Sequence, residues 1–210
     1  MAKRLLPYRD YSEHDVVNLF SLDVNGADLS GFVSNSSGDF DSGVVVAVSA
    51  GALPGEVSEL HSSTPNNLRD YMGASFDGAH IGFNGYPANT GMTVTPADGT
   101  GSALGITLRE TLAFDENGEK MLYYKQKLDE AQGILPGQTV PVLTKGLVLL
   151  SANSFEVAPV LGDDLEVSSN AGDEGKLVTA TAGKVVGTVI AIGEESDSSS
   201  TKKFLCKISF

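Results

Sequence analysis

The sequence predicts an all-β fold: a compact antiparallel β-barrel or sandwich with an extended N-terminal arm and a loop-rich middle region. Three observations lead there. From residue 135 onward a glycine turn, a polar step and an apolar strand entry recur, at Gly137-Gln-Thr-Val140, Gly162-Asp-Asp-Leu165, Gly175-Lys-Leu-Val178 and Gly183-Lys-Val-Val186. This is the punctuation of short strands joined by tight turns. In the closing segment Phe204, Cys206, Ile208 and Phe210 occupy every second position, the period of a strand with one buried face. Helical periodicity is almost absent, and short strands at regular spacing belong to barrels and sandwiches.

Residues 1–20 read as the arm. Lys3, Arg4 and Arg9 lie within the first nine residues, which hold no acid, and Pro7 fixes an extended backbone. An arm reaching for an acidic partner and a solvated terminus are both open readings of such a tip. Residues 21–134 read as a β-rich body, with apolar runs such as Val44-Val-Val-Ala-Val48 set between Gly, Asn, Asp and Ser clusters. Within it, residues 61–103 carry turn chemistry at His61-Ser-Ser-Thr-Pro-Asn-Asn67, Asn84-Gly-Tyr-Pro87 and Pro96-Ala-Asp-Gly-Thr-Gly101. These are surface loops or an elaborated insertion.

Residues 104–128 read as a hairpin. Ile106 to Phe114 and Lys120 to Lys127 flank Asp115-Glu-Asn-Gly-Glu119, and Asn-Gly supplies the positive-φ residues of a hairpin loop. Tyr123 to Gln132 is also open to a helical reading that stops at Gly133. Residues 135–210 read as a small β-barrel, with Leu147-Val-Leu-Leu150 and Phe155-Glu-Val157 as further strands and residues 193–202 as a polar loop.

Charge limits the partners. The chain has 210 residues, with 14 basic and 27 acidic side chains and a net charge of −13. A nucleic-acid binder needs a basic face to displace counterions from phosphate, so nucleic acid and anionic lipid are expected to be excluded. A chain of this length buries roughly 70% of its unfolded surface and forms a core without staples. No run approaches the ~20 apolar residues of a membrane span. The apolar part of the N-terminus, Leu5-Leu6, is far short of a signal-peptide core, so the mature chain is expected to start near Met1. The lone Cys206 suits folding in a reducing cytosol.

The residues offer little catalytic chemistry. Asp163-Asp164, Asp173-Glu174 and Glu194-Glu195 sit in turns, where carboxylates are favoured for solvation. Asp39-Phe-Asp41-Ser-Gly43 and Asp115-Glu-Asn-Gly-Glu119 alternate oxygen ligands with glycine but complete no calcium-loop spacing. His14, His61 and His80 are scattered, without the paired spacing of a zinc site. Cys206 falls on the buried face of the last strand, where a thiol acts as a small hydrophobe. No nucleophile elbow, phosphate loop or dinucleotide fingerprint occurs. Lys145 and Lys184 lack the hairpin setting of a carrier lysine. No catalytic residue, metal or cofactor is expected.

Two stretches resemble a known family. Leu135-Pro-Gly-Gln-Thr-Val-Pro-Val-Leu-Thr-Lys-Gly-Leu-Val148 and Gly175-Lys-Leu-Val-Thr-Ala-Thr-Ala-Gly-Lys-Val-Val-Gly-Thr-Val-Ile190 look like the small β-barrel of tailed-phage capsid decoration, or cement, proteins. Residues 5–20 and the hairpin around Asn117-Gly118 also look like segments of virion structural proteins. The resemblance implies a non-enzymatic subunit that folds in the host cytoplasm and sits on the outer capsid surface, often as a trimer. There it would bind the phage major capsid protein and stabilise contacts between its copies. On that reading the arm makes the capsid contact, with Lys3, Arg4 and Arg9 giving register and Leu5, Leu6, Tyr8 and Tyr11 the buried area. The alternative is a head-fibre or tail adhesin binding a host-surface glycan, against which stand the short chain, the absence of shaft repeats and the lack of Trp for sugar stacking.

Overall fold

The computed structural model describes residues 4–18, 20–22, 41–51, 92–111, 124–131, 133–134, 139–194 and 202–210. In chain order the strands are β1 (Leu5–Asp10), β2 (Val16–Val17), β3 (Ser21–Leu22), β4 (Val45–Gly51), β5 (Met92–Pro96) and β6 (Ala103–Thr107). After the short helix α1 (Lys125–Glu130) come β7 (Val142–Leu143), β8 (Lys145–Ser151), β9 (Asp164–Val167), β10 (Leu177–Thr179), β11 (Gly187–Glu194) and β12 (Lys202–Ser209). Among the described residues these form two six-stranded sheets. The first runs β1-β8-β12-β11-β9-β10 and the second β2-β7-β6-β4-β5-β3. Every pairing is antiparallel except that of β3 with β5.

The alternation in β12 sets the first sheet. Phe204, Cys206 and Ile208 are fully buried and pair with Leu150, Val148 and Gly146 of β8. Their inner face meets Val45, Ile106 and Leu143 of the second sheet in one shared core, with Leu5, Leu165, Leu177 and Val189. Val45 pairs with Ile106 and Ile106 with Leu143, so these three form one row pointing at the first sheet. Phe155 closes the core edge-to-face on Phe204, centroids 4.9 Å apart, a geometry that adds about 1 kcal/mol to the area buried. A Cβ on Gly105 would lie 2.3 Å from the Leu143 carbonyl oxygen, so β6 reaches β7 only because that position has no side chain.

The second sheet is covered on both faces. Val44, Val46 and Val142 point away from the shared core into another cluster with Phe20, Val94, Ile134 and Val140. The unbroken run Val44-Val45-Val46 thus serves two cores at once, as strands buried on both faces do. Thr107 on that side is fully buried, and its hydroxyl accepts from the Val44 amide (3.1 Å) and donates to the Asp41 carbonyl (3.3 Å). The two sheets are joined near the end of β5: Ala97 N–H donates to Val45, Val45 N–H to Gly175, and Gly175 N–H to Ala97.

These contacts make the fold a sandwich; among the described residues the sheets do not close into a barrel. Residues 135–210 do not stand apart either, because β7 joins the second sheet while β1 joins the first. The arm expected over residues 1–20 is corrected: residues 5–10 are an edge strand of the first sheet, and β2 belongs to the second. The apolar pair Leu5-Leu6 supplies the reason, since Leu5 is a core residue. Of the hairpin expected over 104–128, residues 112–123 lie outside the described residues. β6 is flanked by β4 and β7, and Lys125–Glu130 is helical, with the Gly133 amide donating back to the Leu128 carbonyl. The Asn117-Gly118 turn lies outside the described residues, as do residues 61–91; the rest of the 61–103 stretch contains β5 and the first residue of β6.

Two substitutions test this packing. Phe204→Ala is expected to lower the unfolding free energy by about 3–5 kcal/mol in a denaturant titration, because it removes a filled ring site from the shared core. Gly105→Ala is expected to cost about 2 kcal/mol or more through overpacking against the β7 backbone. Wild-type midpoints for both would refute the two-sheet core.

Candidate functional site

The structure divides the seven residues expected to make the partner contact. Arg4 and Leu5 are buried, at 6% and 3% exposure, so neither is free to reach a partner. The Arg4 carbonyl accepts hydrogen bonds from the Ser151 amide (2.8 Å) and the Ser154 hydroxyl (3.2 Å). Its guanidinium Nε lies 4.0 Å from an Asp41 carboxylate oxygen. Burial pulls the Arg4 pKa below its ordinary value, and attraction to Asp41 and Asp173 opposes the fall. Gly43, at φ +84°, lets the chain past Asp41 press against this segment: a Cβ there would meet the Leu5 nitrogen at 2.9 Å. Arg4 is therefore a latch that holds the start of β1 to the body.

Arg9 is half-buried and turned toward the other sheet. It pairs with Val148 of the inner row, and its NH1 donates to the Leu108 carbonyl at 3.3 Å. Between Leu5 and Arg9 the register slips, so that Leu6, Pro7 and Tyr8 stand against the single residue Leu149. A bulge containing proline on an edge strand blocks further strand addition and re-aims its side chains. Here it leaves Tyr8 54% exposed, with Tyr11 at 36% just beyond the strand. Leu6 is half-buried, and Lys3 lies outside the described residues. The structure thus brings Leu6, Tyr8 and Tyr11 to one sheet edge and withdraws the two arginines into the fold.

Chemistry elsewhere on the surface is spent internally. Glu156 accepts from the Ser168 hydroxyl (2.7 Å) and the Asn170 side-chain amide. Asp163 accepts from the Val160 amide (2.9 Å) and the Thr179 hydroxyl (3.1 Å). Glu166 lines a shallow groove with Gly101, Ala103 and Lys184, but its carboxylate clasps the loop at Gly183 N–H (2.5 Å) and Thr181 Oγ1 (3.2 Å). Burial tends to raise its pKa, yet donation from Gly183, Thr181 and Ala182 outweighs that and holds it below the ordinary 4.5. Cys206 is fully buried, and burial pushes its thiol up to about 12, which denies it the thiolate a nucleophile needs. Among the described residues no group of three or more His, Cys, Asp or Glu side chains could hold a metal ion.

A second surface is apolar and exposed. Val157, Val160 and Leu161 are 63–65% exposed, and Ile190 and Ile192 of β11 are 46% and 38% exposed. The turn Val160–Asp163 lies beside β11 through hydrogen bonds from Gly162 N–H to the Val189 carbonyl and from Val189 N–H to Asp163. The segment Val157-Ala-Pro-Val-Leu-Gly162 carries no charge, which was a signal for it, but periodicity alone reads such a run as core.

A protein-family model described as "Structural cement protein (E217 gp24/Pam3 gp6)" matches residues 40–210. The match spans β4 to β12 and therefore strands of both sheets, while β1, β2 and β3 precede it. No curated protein and no solved structure gives a significant match.

Arg4→Ala is expected to destabilise the protein by about 3 kcal/mol, because it leaves Asp41 without its buried partner, whereas Tyr8→Ala is expected to stay within about 0.5 kcal/mol. Equal effects of the two would remove the distinction between latch and exposed edge. Glu166, with its folded pKa depressed, contributes to holding the loop above its ordinary pKa, and that contribution is lost as pH falls through the folded value. The Gly183 amide resonance is expected to titrate with a midpoint below 4.5; a midpoint above it would contradict the clasp.

Proposed function

We propose that this chain, which belongs to the phage structural cement protein family, is a subunit that binds the outside of the phage head and stabilises contacts between major capsid proteins. The match over residues 40–210 carries the reading. It covers the strands that build the shared core, so what is matched is the folded body. A rigid sandwich suits the role, because a clamp resists separation of its neighbours only as far as it resists deformation itself. The net charge of −13 suits an outward-facing subunit that does not adhere to nucleic acid.

The subunit folds in the host cytoplasm and acts on the head as a homotrimer. Ile190 and Ile192 of β11, with Val185 just before it, support self-association, since apolar residues this exposed, at 46%, 38% and 47%, gain from cover. The contact to the major capsid protein at the N-terminal edge is made by Lys3, Leu6, Tyr8 and Tyr11. Arg4, Leu5 and Arg9 hold that edge in place. Aromatic side chains presented on a bulged, anchored strand lose little conformational entropy on binding, which is what makes tyrosine effective at interfaces.

The test is head stability. Adding the purified protein to expanded heads that lack it is expected to raise the temperature at which they rupture, and unchanged rupture would contradict the reading. A Tyr8→Ala, Tyr11→Ala variant, folded as judged by its melting curve, is expected to bind heads about tenfold more weakly or worse. Light scattering is expected to give three chains per particle for the bound or concentrated protein; isolated single copies on the head would end the trimer.

A further inference from the structure

We infer that the turn at residues 157–161 is a contact between copies of this chain; this rests on the self-association in the proposed function and moves its centre from β11 to the turn. Among the described residues, Val157, Val160 and Leu161 are the three most exposed large apolar side chains. Their backbone is pinned. Phe155 and Pro159 are buried on either side of Val157, the Val160 amide donates to the Asp163 carboxylate (2.9 Å), and the Asp163 amide donates to the Val160 carbonyl (3.2 Å). Gly162, at φ +85°, turns the chain back, and its amide donates to the Val189 carbonyl of β11. Ile190, the next residue along that strand, is exposed as well. Four apolar side chains thus stand in solvent on a fixed backbone. Covering them is favourable, and little conformational freedom is left to lose when they are covered.

Area and charge identify the occupant as a second copy. Val157, Val160, Leu161 and Ile190 together expose roughly 400 Å² of apolar surface, close to the apolar share of one side of a standard interface, about 57% of ~800 Å². The chain carries a net charge of −13, so two copies repel wherever their charged surfaces meet. A basic partner is best met through those acids, whereas a like-charged partner is met where charge is missing, and residues 157–162 hold none. The acids that flank the turn in sequence are bonded to their own chain. Glu156 accepts from Ser168 and Asn170, Asp163 from the Thr179 hydroxyl (3.1 Å) and Asp164 from the Thr188 hydroxyl (2.8 Å). Their charge stays at the rim, alike on every copy, and opposes the contact at low salt. Copies that bring these turns to a common symmetry axis bury the same residues of each.

The experiment uses the full chain, first in solution and then on heads assembled without it. Light scattering over a dilution series is expected to show association that strengthens as salt rises, because salt screens the acidic rim and leaves the apolar contact. V157D/L161D, with the melting curve of wild type, is expected to dissociate at a concentration about tenfold higher or more, while L161M associates as wild type. As a check independent of that variant, L161C is expected to give covalent dimers on oxidation, and A171C, at another exposed position, is not; the native Cys206 is buried and does not compete. Wild-type association by V157D/L161D overturns the inference and leaves the trimer standing, as does the absence of covalent dimers from L161C in particles that hold three chains. Association that weakens as salt rises also overturns it. Single chains at every concentration and isolated copies on heads overturn the inference and the trimer together. Covalent L161C dimers in a protein that fails to bind heads support the inference and contradict the cement role instead.

Discussion

The pairing of β12 with β8 on one side and β11 on the other is the constraint from which the rest of the molecule follows. Because side chains alternate along a strand, one register decides both what is buried and what is shown. Setting Phe204 opposite Leu150 and Cys206 opposite Val148 buries the inner row against Val45, Ile106 and Leu143. The same register places Leu205 and Lys207 on the outer face. A slip of one residue would bury lysine in the sandwich and expose its largest ring, at a cost no local rearrangement could offset. Strand β1 then pairs with β8 and β11 with β9, so the exposed tyrosines and the apolar turn at Val160 are held in place by the same sheet.

The second sheet depends on the first through its burial on both faces. Val44-Val45-Val46 feeds two clusters, and Gly105 allows β6 and β7 the close approach that brings Ile106 and Leu143 into one row. The backbone links among Val45, Ala97 and Gly175 couple the sheets. The Arg4 latch fastens the start of the chain: the first described residues are bonded to Ser151 at the end of β8 and to Ser154 in the turn that follows it.

What was legible in the sequence was what depends on local pattern. The alternation Phe204-x-Cys206-x-Ile208 and the glycine turns at Gly162, Gly175 and Gly183 carried through to strands, and the helical reading of Tyr123 to Gln132 holds over Lys125–Glu130. What misled was the reading of charge as exposure. Lys3, Arg4 and Arg9 made residues 1–9 look like a solvated arm, yet a guanidinium can be buried when long-range partners such as Asp41 and the Leu108 carbonyl meet it, and such partners leave no local trace. Among the described residues the partners of β6 are β4 and β7, which are distant in sequence, because β-pairing is decided by which apolar rows can share a core. The exposed residues Val160 and Leu161 were hidden for the converse reason, since apolar composition cannot distinguish a core strand from an uncovered turn.

The family membership and the geometry together describe a structural cement protein built as a two-sheet sandwich. The measurement that tests this most directly is an electron-microscopic reconstruction of heads with the purified chain added. The account predicts additional density of this sandwich on the outer surface, bridging neighbouring shell proteins at repeated positions. Heads that show no added density there, or protein found only at the tail or at fibre tips, would contradict it.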